Sequence, residues 1–222
     1  MMSNDEKLQH DVVQALKMEP LLEGAEIGVI SCDGIITLTG MVDTYAKKRG
    51  ADHATKTVKG VKAVIEKIEV KFASDIQKSD SLIATEVLAA LKINLEVPEN
   101  EIQIQVENGW VILEGTVKRN AQKQAAPKCI EHIAGIKAIA NHIVIKSATA
   151  DEVEKLGIQD ALIRNWAIDE QHIKVSVFEN TITLSGTVHS IFQKDEAERM
   201  AWNAPGVWSV HNELVIDYMV NE

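Results

Sequence analysis

A threefold internal repeat constrains the fold of this chain more than any other feature of its sequence. Three segments share one pattern of aliphatic residues that ends in a glycine and a valine: 33–42 (DGIITLTGMV), 108–117 (NGWVILEGTV) and 179–188 (ENTITLSGTV). In each repeat a leucine precedes the glycine by 24 residues, and a second glycine follows it by 20. Landmarks at fixed spacing indicate three copies of one module. The landmarks are Leu16, Leu91 and Leu162, then Gly40, Gly115 and Gly186, then Gly60, Gly135 and Gly206.

The spacing places the modules at about residues 5–72, 80–147 and 151–218. Seven residues (73–79) join the first two modules and three (148–150) join the second two. A module of roughly 68 residues is near the lower limit for an independent hydrophobic core. We therefore expect contacts between modules to add stability.

The second module shows the secondary structure most clearly and predicts the order α-β-β-α-β. The segment Ser79-Asp80-Ser81 offers N-caps to a first helix that ends near residues 92–94. Asn108-Gly109 is the preferred pair for a type I′ turn between two strands. A second helix over about 120–133 and a last strand over 139–146 complete the module. The aliphatic residues at helical spacing are Leu82, Ile83, Val87, Leu88 and Leu91, and those alternating in the first strand are Ile102, Ile104 and Val106.

The other two repeats give the same order, so the predicted fold class is α+β. Their first strands fall at 27–31 and 173–177, and their second helices at 44–58 and 191–203. Each module is expected to form a small mixed three-stranded sheet that packs on two helices.

Two residues disagree with the predicted second helices. Pro127 is expected to kink or break the helix of the second module. Gly50 is expected to weaken the corresponding helix of the first module by about 1 kcal/mol relative to alanine.

The repeat resembles the BON domain, the small αββαβ module of OsmY-like proteins, which are osmotically inducible, and of related bacterial envelope proteins. The similarity rests on the strand endings Leu38-Thr39-Gly40, Leu113-Glu114-Gly115 and Leu184-Ser185-Gly186. It continues with an alanine in each second helix and with the glycine and aliphatic pair before each last strand. The alanines are Ala51, Ala126 and Ala197.

The resemblance implies a non-enzymatic binding protein, associated with phospholipid membranes and with osmotic or envelope stress. Some family members accompany potassium binding in the cytoplasm. The alternative is therefore a soluble cytoplasmic scaffold for protein contacts, or a module that binds an ion or a small ligand.

No motif in the sequence indicates catalysis, a metal site or a cofactor. The seven histidines show no HxxxH spacing, and Cys32 and Cys129 belong to no CxxC pair. A nucleophile elbow, a glycine-rich phosphate loop and an EF-hand spacing are all absent from the sequence. We predict that the protein is not an enzyme and holds neither a metal nor a cofactor.

The formal net charge of −10 disfavours nucleic-acid binding, which depends on basic residues that neutralise phosphates. The acidity is concentrated in residues 148–222, which hold 5 basic and 13 acidic side chains. The first two modules are close to neutral. The polar N-terminus has no apolar signal-peptide core, which predicts a cytoplasmic location, or a periplasmic one if a presequence has been removed.

A basic cluster is the leading candidate for partner contact. Lys48, Lys123 and Lys194 occupy the same position in the three modules. Around the first of them, Tyr45 lies beside Lys47 and Arg49 and resembles an interfacial anchor. These side chains are predicted to contact lipid phosphate or an acidic partner. The alternative is a solvated helix face that was inherited with the repeat.

Three tryptophans of the third module offer a second candidate surface. Trp166, Trp202 and Trp208 are explained either by packing within or between modules or by an exposed aromatic patch that receives a protein partner.

Overall fold

A computed structural model describes residues 3–72, 78–146, 173–178, 180–204, 207 and 209–217. It confirms the α+β fold class, with three mixed sheets of three strands each. The first module comprises α1 (Asn4–Met18), β1 (Glu26–Cys32), β2 (Ile35–Val42), α2 (Tyr45–Thr57) and β3 (Ala63–Val70), with a short 3-10 turn at Pro20–Leu22.

The second module follows the predicted order. It comprises α3 (Asp80–Ile93), β4 (Ile102–Glu107), β5 (Trp110–Val117), α4 (Asn120–Ile130) and β6 (Ala138–Ile145), with a 3-10 turn at Glu99–Glu101. Strand β5 lies between an antiparallel β4 and a parallel β6. Its inward residues Val111 and Leu113 are fully buried against α3 and α4.

In the third module the structure describes β7 (Ile173–Phe178), β8 (Thr181–Val188), α5 (Ile191–Trp202) and β9 (Ser209–Ile216). The sheet repeats the antiparallel and parallel pairings of the second module. The predicted first helix with Leu162 and Trp166 lies outside the described residues, as do Gly206 and Trp208.

The chain divides into two compact units. One contains Met1–Gly40, Gly50–Lys67 and Thr149–Glu222, and the other contains Met41–Arg49 and Ile68–Ala148.

The predicted hairpin turn at Asn108-Gly109 is confirmed, and the first module has a matching turn. Asn108 and Gly109 have φ angles of 52° and 82°, and Asp33 and Gly34 have almost the same pair, 52° and 81°. Two positive φ angles in succession are what a type I′ turn requires. Farther along β5, Gly115 has a φ of 139°, and a side chain there would collide with the carbonyl group of Glu101.

An aspartate at the start of the first helix holds the hairpin turn in two modules. Asp80 accepts hydrogen bonds from the backbone N–H groups of Asn108, at 2.7 Å, and Gly109, at 2.9 Å. In the first module Asp5 accepts from the backbone N–H of Asp33 and from the Ser31 hydroxyl. These bonds fix the helix start to the tip of the hairpin.

Pro127 is expected to kink or break helix α4. The break is wrong, because α4 continues through the proline to Ile130, and the kink stays a prediction. A proline lacks the N–H that would bond the carbonyl group four residues earlier, which here belongs to Lys123. The side-chain amide of Asn141 in β6 donates to that carbonyl at 2.9 Å. In the third module Asn212 makes the same bond to Lys194, at 3.0 Å, although Glu198 stands where the proline would be. A side-chain donor thus compensates for the missing backbone bond.

The Asp5 bonds predict a pH dependence of stability. Hydrogen bonds from the Asp33 N–H and the Ser31 hydroxyl lower the pKa of Asp5 from its ordinary value of 3.8. The folded pKa therefore lies below the unfolded one. The contribution to stability is present above about pH 4 and is lost as the pH falls through the folded pKa.

We expect the gap in melting temperature between the wild type and Asp5→Asn to stay constant from pH 7 to pH 5 and to narrow below pH 4. Thermal unfolding followed by circular dichroism measures this gap. If the difference in melting temperature at pH 3 equals that at pH 7, the Asp5 carboxylate does not stabilise the fold through these hydrogen bonds.

The second prediction concerns Pro127 and Asn141. We expect Asn141→Ala to lower the free energy of unfolding by about 1–3 kcal/mol, because it leaves the Lys123 carbonyl without its donor. In a Pro127→Ala background the restored N–H supplies that donor, so the loss should shrink by roughly 1 kcal/mol. Urea denaturation of the wild type, the two single variants and the double variant measures this coupling. If the losses in unfolding free energy of the single variants add up to that of the double variant, the proposed compensation is wrong.

Candidate functional site

Helix α3 carries large apolar residues both inside and outside the arc that faces the core. Ile83, Val87 and Leu91 are almost completely buried in the core of the second module. The remaining aliphatic side chains are exposed, by fractions that rise along the helix from 46 % at Leu82 to 79 % at Ile93. An amphipathic surface helix normally presents polar residues on its outer side. We call the exposed set the α3 apolar face; it consists of Leu82, Leu88, Ile93 and Leu95.

The α3 apolar face extends beyond the helix end. Leu95 follows the C-cap Asn94 and is fully exposed, although it is a large aliphatic residue. Lys92 in the last turn is also exposed. The exposed aliphatic residues at this helix end form a candidate interaction surface.

A cleft of about 870 Å³ lies within the unit that contains the second module. Its apolar wall includes the buried Ile68, Val70 and Ile83, and its aromatic side chains are the half-buried Phe72 and the 58 % exposed Trp110. Four lysines also line it, and we call it the lysine cleft. They are Lys48, Lys71, Lys78 and Lys137.

The four ammonium groups are in different environments. Lys78 forms a 2.6 Å ion pair with Glu86, and Lys48 donates to the carbonyl group of Ile68 at 2.9 Å. Lys71 has a 3.4 Å ion pair with Glu69, in which both side chains are more than half exposed. The Lys137 ammonium forms no hydrogen bond or ion pair with any residue that the structure describes.

The acidic side chains of the lysine cleft offset part of its positive charge. Asp80 and Glu69 line it against four lysines, and Glu86 pairs with Lys78, so an excess of one positive charge remains. In a chain with a net charge of −10 this is a locally basic and partly apolar recess. Such a recess suits an anion that carries an apolar part.

The basic cluster predicted from the sequence is engaged within the protein. Tyr45 packs against the core of the second module. Lys47 pairs with Asp43 at 2.9 Å, and Arg49 lies 3.5 Å from Glu131. These contacts show what holds the cluster, while its role in binding stays a prediction.

The three lysines at the repeated position are placed by the second helices. Lys194 donates to the carbonyl group of Leu214 in β9 at 2.7 Å, which is the same bond that Lys48 makes to β3. Lys123 is half-buried, and its backbone carbonyl takes the Asn141 bond. The repeated lysine therefore ties a second helix to a last strand in two of the modules.

Other predicted candidates form no reactive constellation in the described residues. No group of three or more histidine, cysteine, aspartate or glutamate side chains could hold a metal there. Trp202 is half-buried and packs against the core of the third module. Trp166 and Trp208 lie outside the described residues, so the aromatic patch stays a prediction. Burial raises the pKa of the Cys129 thiol, which keeps it protonated and unreactive at neutral pH.

Helix α2 also contacts the third module. The ring of His53 meets Phe192 of α5 edge-on, with centroids 5.6 Å apart. Nearby, burial raises the pKa of Asp195, and the charges of Asp52 and Glu198 act in the same direction while Lys56 opposes them.

Comparison with known proteins identifies the class. The family model of the BON domain matches residues 4–71, 79–147 and 155–218, so the chain belongs to the BON-domain family and carries three of these domains.

The individual relatives are bacterial proteins. "Osmotically-inducible protein Y" of Escherichia coli K12 is 29 % identical over 143 residues, which are 61 % of this chain and 71 % of that protein. The "21 kDa hemolysin" of Actinobacillus pleuropneumoniae is 28 % identical over 139 residues, covering 61 % and 71 %. The "Outer membrane lipoprotein DolP" of Haemophilus influenzae is 27 % identical over 139 residues, covering 61 % and 72 %.

These relatives give no support to the expected cytoplasmic location, since one of them is named as an outer membrane protein. Among the residues with a described position, no helix is long and apolar enough to cross a membrane.

Two surfaces of the structure were not predicted from the sequence. The α3 apolar face had a visible signal, because Leu82, Leu88 and Ile93 fall outside the arc of the helix that contains the buried residues. The lysine cleft had none, because its lining comes from segments up to 89 residues apart, Lys48 and Lys137, that meet only in the fold.

The repeated lysine yields a testable prediction. Lys194→Met keeps the aliphatic stem and removes the ammonium group that bonds Leu214, so we expect the free energy of unfolding to fall by about 1 kcal/mol. Lys123→Met is the matched control and should change it by only a few tenths. Equal effects, measured by urea denaturation, would contradict the helix-to-strand role.

Proposed function

We propose that this protein is a non-enzymatic membrane-associated protein that binds phospholipid surfaces in the bacterial envelope and acts in osmotic or envelope stress. The observation that carries the proposal is the α3 apolar face, which leaves four large aliphatic side chains in water. The relatives of this chain support a role in the bacterial envelope, because one is named as osmotically inducible and another as an outer membrane lipoprotein.

The chemistry of the α3 apolar face favours a lipid boundary. Ile93 and Leu95 project at the end of the helix, and Lys92 beside them offers one ammonium group to the headgroup layer. Glu96, Glu99 and Glu101 follow closely and oppose a purely electrostatic attraction to anionic lipid. Apolar burial therefore supplies most of the binding energy, and the dependence on salt should be weak.

The basic cluster of Tyr45, Lys47, Lys48 and Arg49, together with Lys123 and Lys194, stays a second proposal for the lipid contact. Its present partners are internal, but Arg49 keeps nearly half of its side-chain surface exposed. Contact through this cluster would respond strongly to salt, because it rests on charge alone.

Vesicle flotation tests the two proposed contacts. The variant Leu88→Gln/Ile93→Gln/Leu95→Gln should lose binding to vesicles of phosphatidylethanolamine and phosphatidylglycerol. At roughly 1.5 kcal/mol or more for each buried aliphatic side chain, we expect a decrease in partitioning of at least about 100-fold. The matched control is Met18→Gln/Leu21→Gln, which removes exposed residues of the first module.

The possible outcomes separate the hypotheses. Wild-type flotation that survives moderate salt but fails in the triple variant supports the α3 apolar face. If flotation is sensitive to salt and is lost in Lys47→Ala/Lys48→Ala/Arg49→Ala, the basic cluster is the lipid contact. Absence of wild-type flotation contradicts lipid binding and favours the alternative, a scaffold for protein contacts or a module for an ion or small ligand.

A further inference from the structure

The structure assigns a second binding site, independent of the α3 apolar face, to the lysine cleft: we propose that it takes a monomeric amphiphilic oxyanion. Such a ligand has a phosphate or carboxylate head and an apolar tail. The site lies at the hairpin end of the second module, whereas the α3 apolar face extends to the opposite end of that helix.

The head of the ligand is specified by the available ammonium groups. Lys137 has no ion-pair partner among the described side chains. The pair of Lys71 with Glu69 is long and solvent-exposed. An exposed ion pair is worth little, so an oxyanion displaces Glu69 at small cost. Lys78 and Lys48 are held by shorter bonds, so they attract the anion through their charge without contacting it directly.

The tail is specified by the apolar wall. Phe72 and Trp110 line the lysine cleft with partly exposed aromatic rings, and Ile68, Val70 and Ile83 are buried in its wall. A small inorganic anion would leave the two rings in contact with water. A volume of about 870 Å³ lies within the 300–1,000 Å³ typical of small-molecule sites.

The hairpin turn gives this site a rigid border. The amides of Asn108 and Gly109 are held by Asp80, and the stem of Lys137 passes close to Gly109. The backbone N–H of Lys137 also bonds the carbonyl group of Gly109 at 2.8 Å. The most available ammonium group of the lysine cleft therefore projects from a fixed backbone position.

Isothermal titration calorimetry on the full chain tests the proposal. The probes are octyl phosphate and octanoate below their micelle concentrations, with octyl glucoside as the uncharged control and inorganic phosphate as the control without a tail. We expect both amphiphilic anions to bind more tightly than either control. Lys71→Gln/Lys137→Gln should weaken them roughly tenfold or more, since it removes two of the four positive charges.

The matched control for charge is Lys118→Gln/Lys128→Gln, which removes two exposed lysines of the same module outside the cleft. Trp110→Ala should weaken the amphiphiles while leaving inorganic phosphate unchanged. If octyl glucoside binds as tightly as octyl phosphate, or if the two lysine pairs have equal effects, the proposal is wrong.

The two proposals fail separately. The α3 triple variant should still bind octyl phosphate in solution, and the cleft variant should still float with vesicles. If vesicle-borne phosphatidylglycerol competes with octyl phosphate, the natural source of the anion is a membrane lipid. If only soluble amphiphiles compete, the source is a free anion. Loss of both activities in the α3 variant would overturn the assignment of a separate site.

Discussion

The carboxylate at the start of each described first helix is the contact on which the rest of the module depends. Asp80 accepts both backbone N–H groups at the tip of the hairpin, and Asp5 accepts one of them together with a nearby hydroxyl. A type I′ turn leaves N–H groups that need an acceptor, and the first turn of a helix favours a negative charge. One side chain satisfies both requirements. It also fixes where the helix lies over the sheet.

Both proposed sites follow from that placement. Because α3 is anchored at Asp80, its inner side packs against β4 and α4, and the apolar residues outside that side have no core to enter. The same anchor brings the start of α3 beside the hairpin turn, where the lysine cleft is formed. Both surfaces therefore depend on the position of α3, but their chemistry differs. One consists of exposed aliphatic residues, and the other is a basic recess.

The sequence predicted the fold well because the same pattern occurs in three copies, so each copy supports the prediction made from the others. The alternation in β4, the Asn108-Gly109 turn and the capping Ser79 each act within a few residues, so local rules identify them. The sequence was less informative about contacts between residues that are far apart in the chain. The bonds of Asp80 to the turn span 28 and 29 positions, although Asp5, Asp80 and Asp151 recur at the repeat spacing.

The candidate site was harder to predict for a related reason. Helical spacing groups Leu82 and Leu88 with Ile83, Val87 and Leu91, but it does not say which side of the helix the sheet will cover. Recurrence of Lys48 and Lys194 was a real signal, and the structure gives them a bond to the last strand. A repeated charge can thus reflect a repeated internal contact as well as a repeated ligand.

The amide of Asn141 has a consequence for how the second module could change over time. The third module forms the same side-chain bond without a proline, so this bond does not require the proline to exist. In a module that already had the asparagine, a proline at position 127 removed one of two donors to a carbonyl group and left the other. Without the asparagine, the same substitution would have left a helix carbonyl unbonded. The asparagine is therefore a permissive residue, and the order in which the two substitutions arose would decide whether the intermediate was stable.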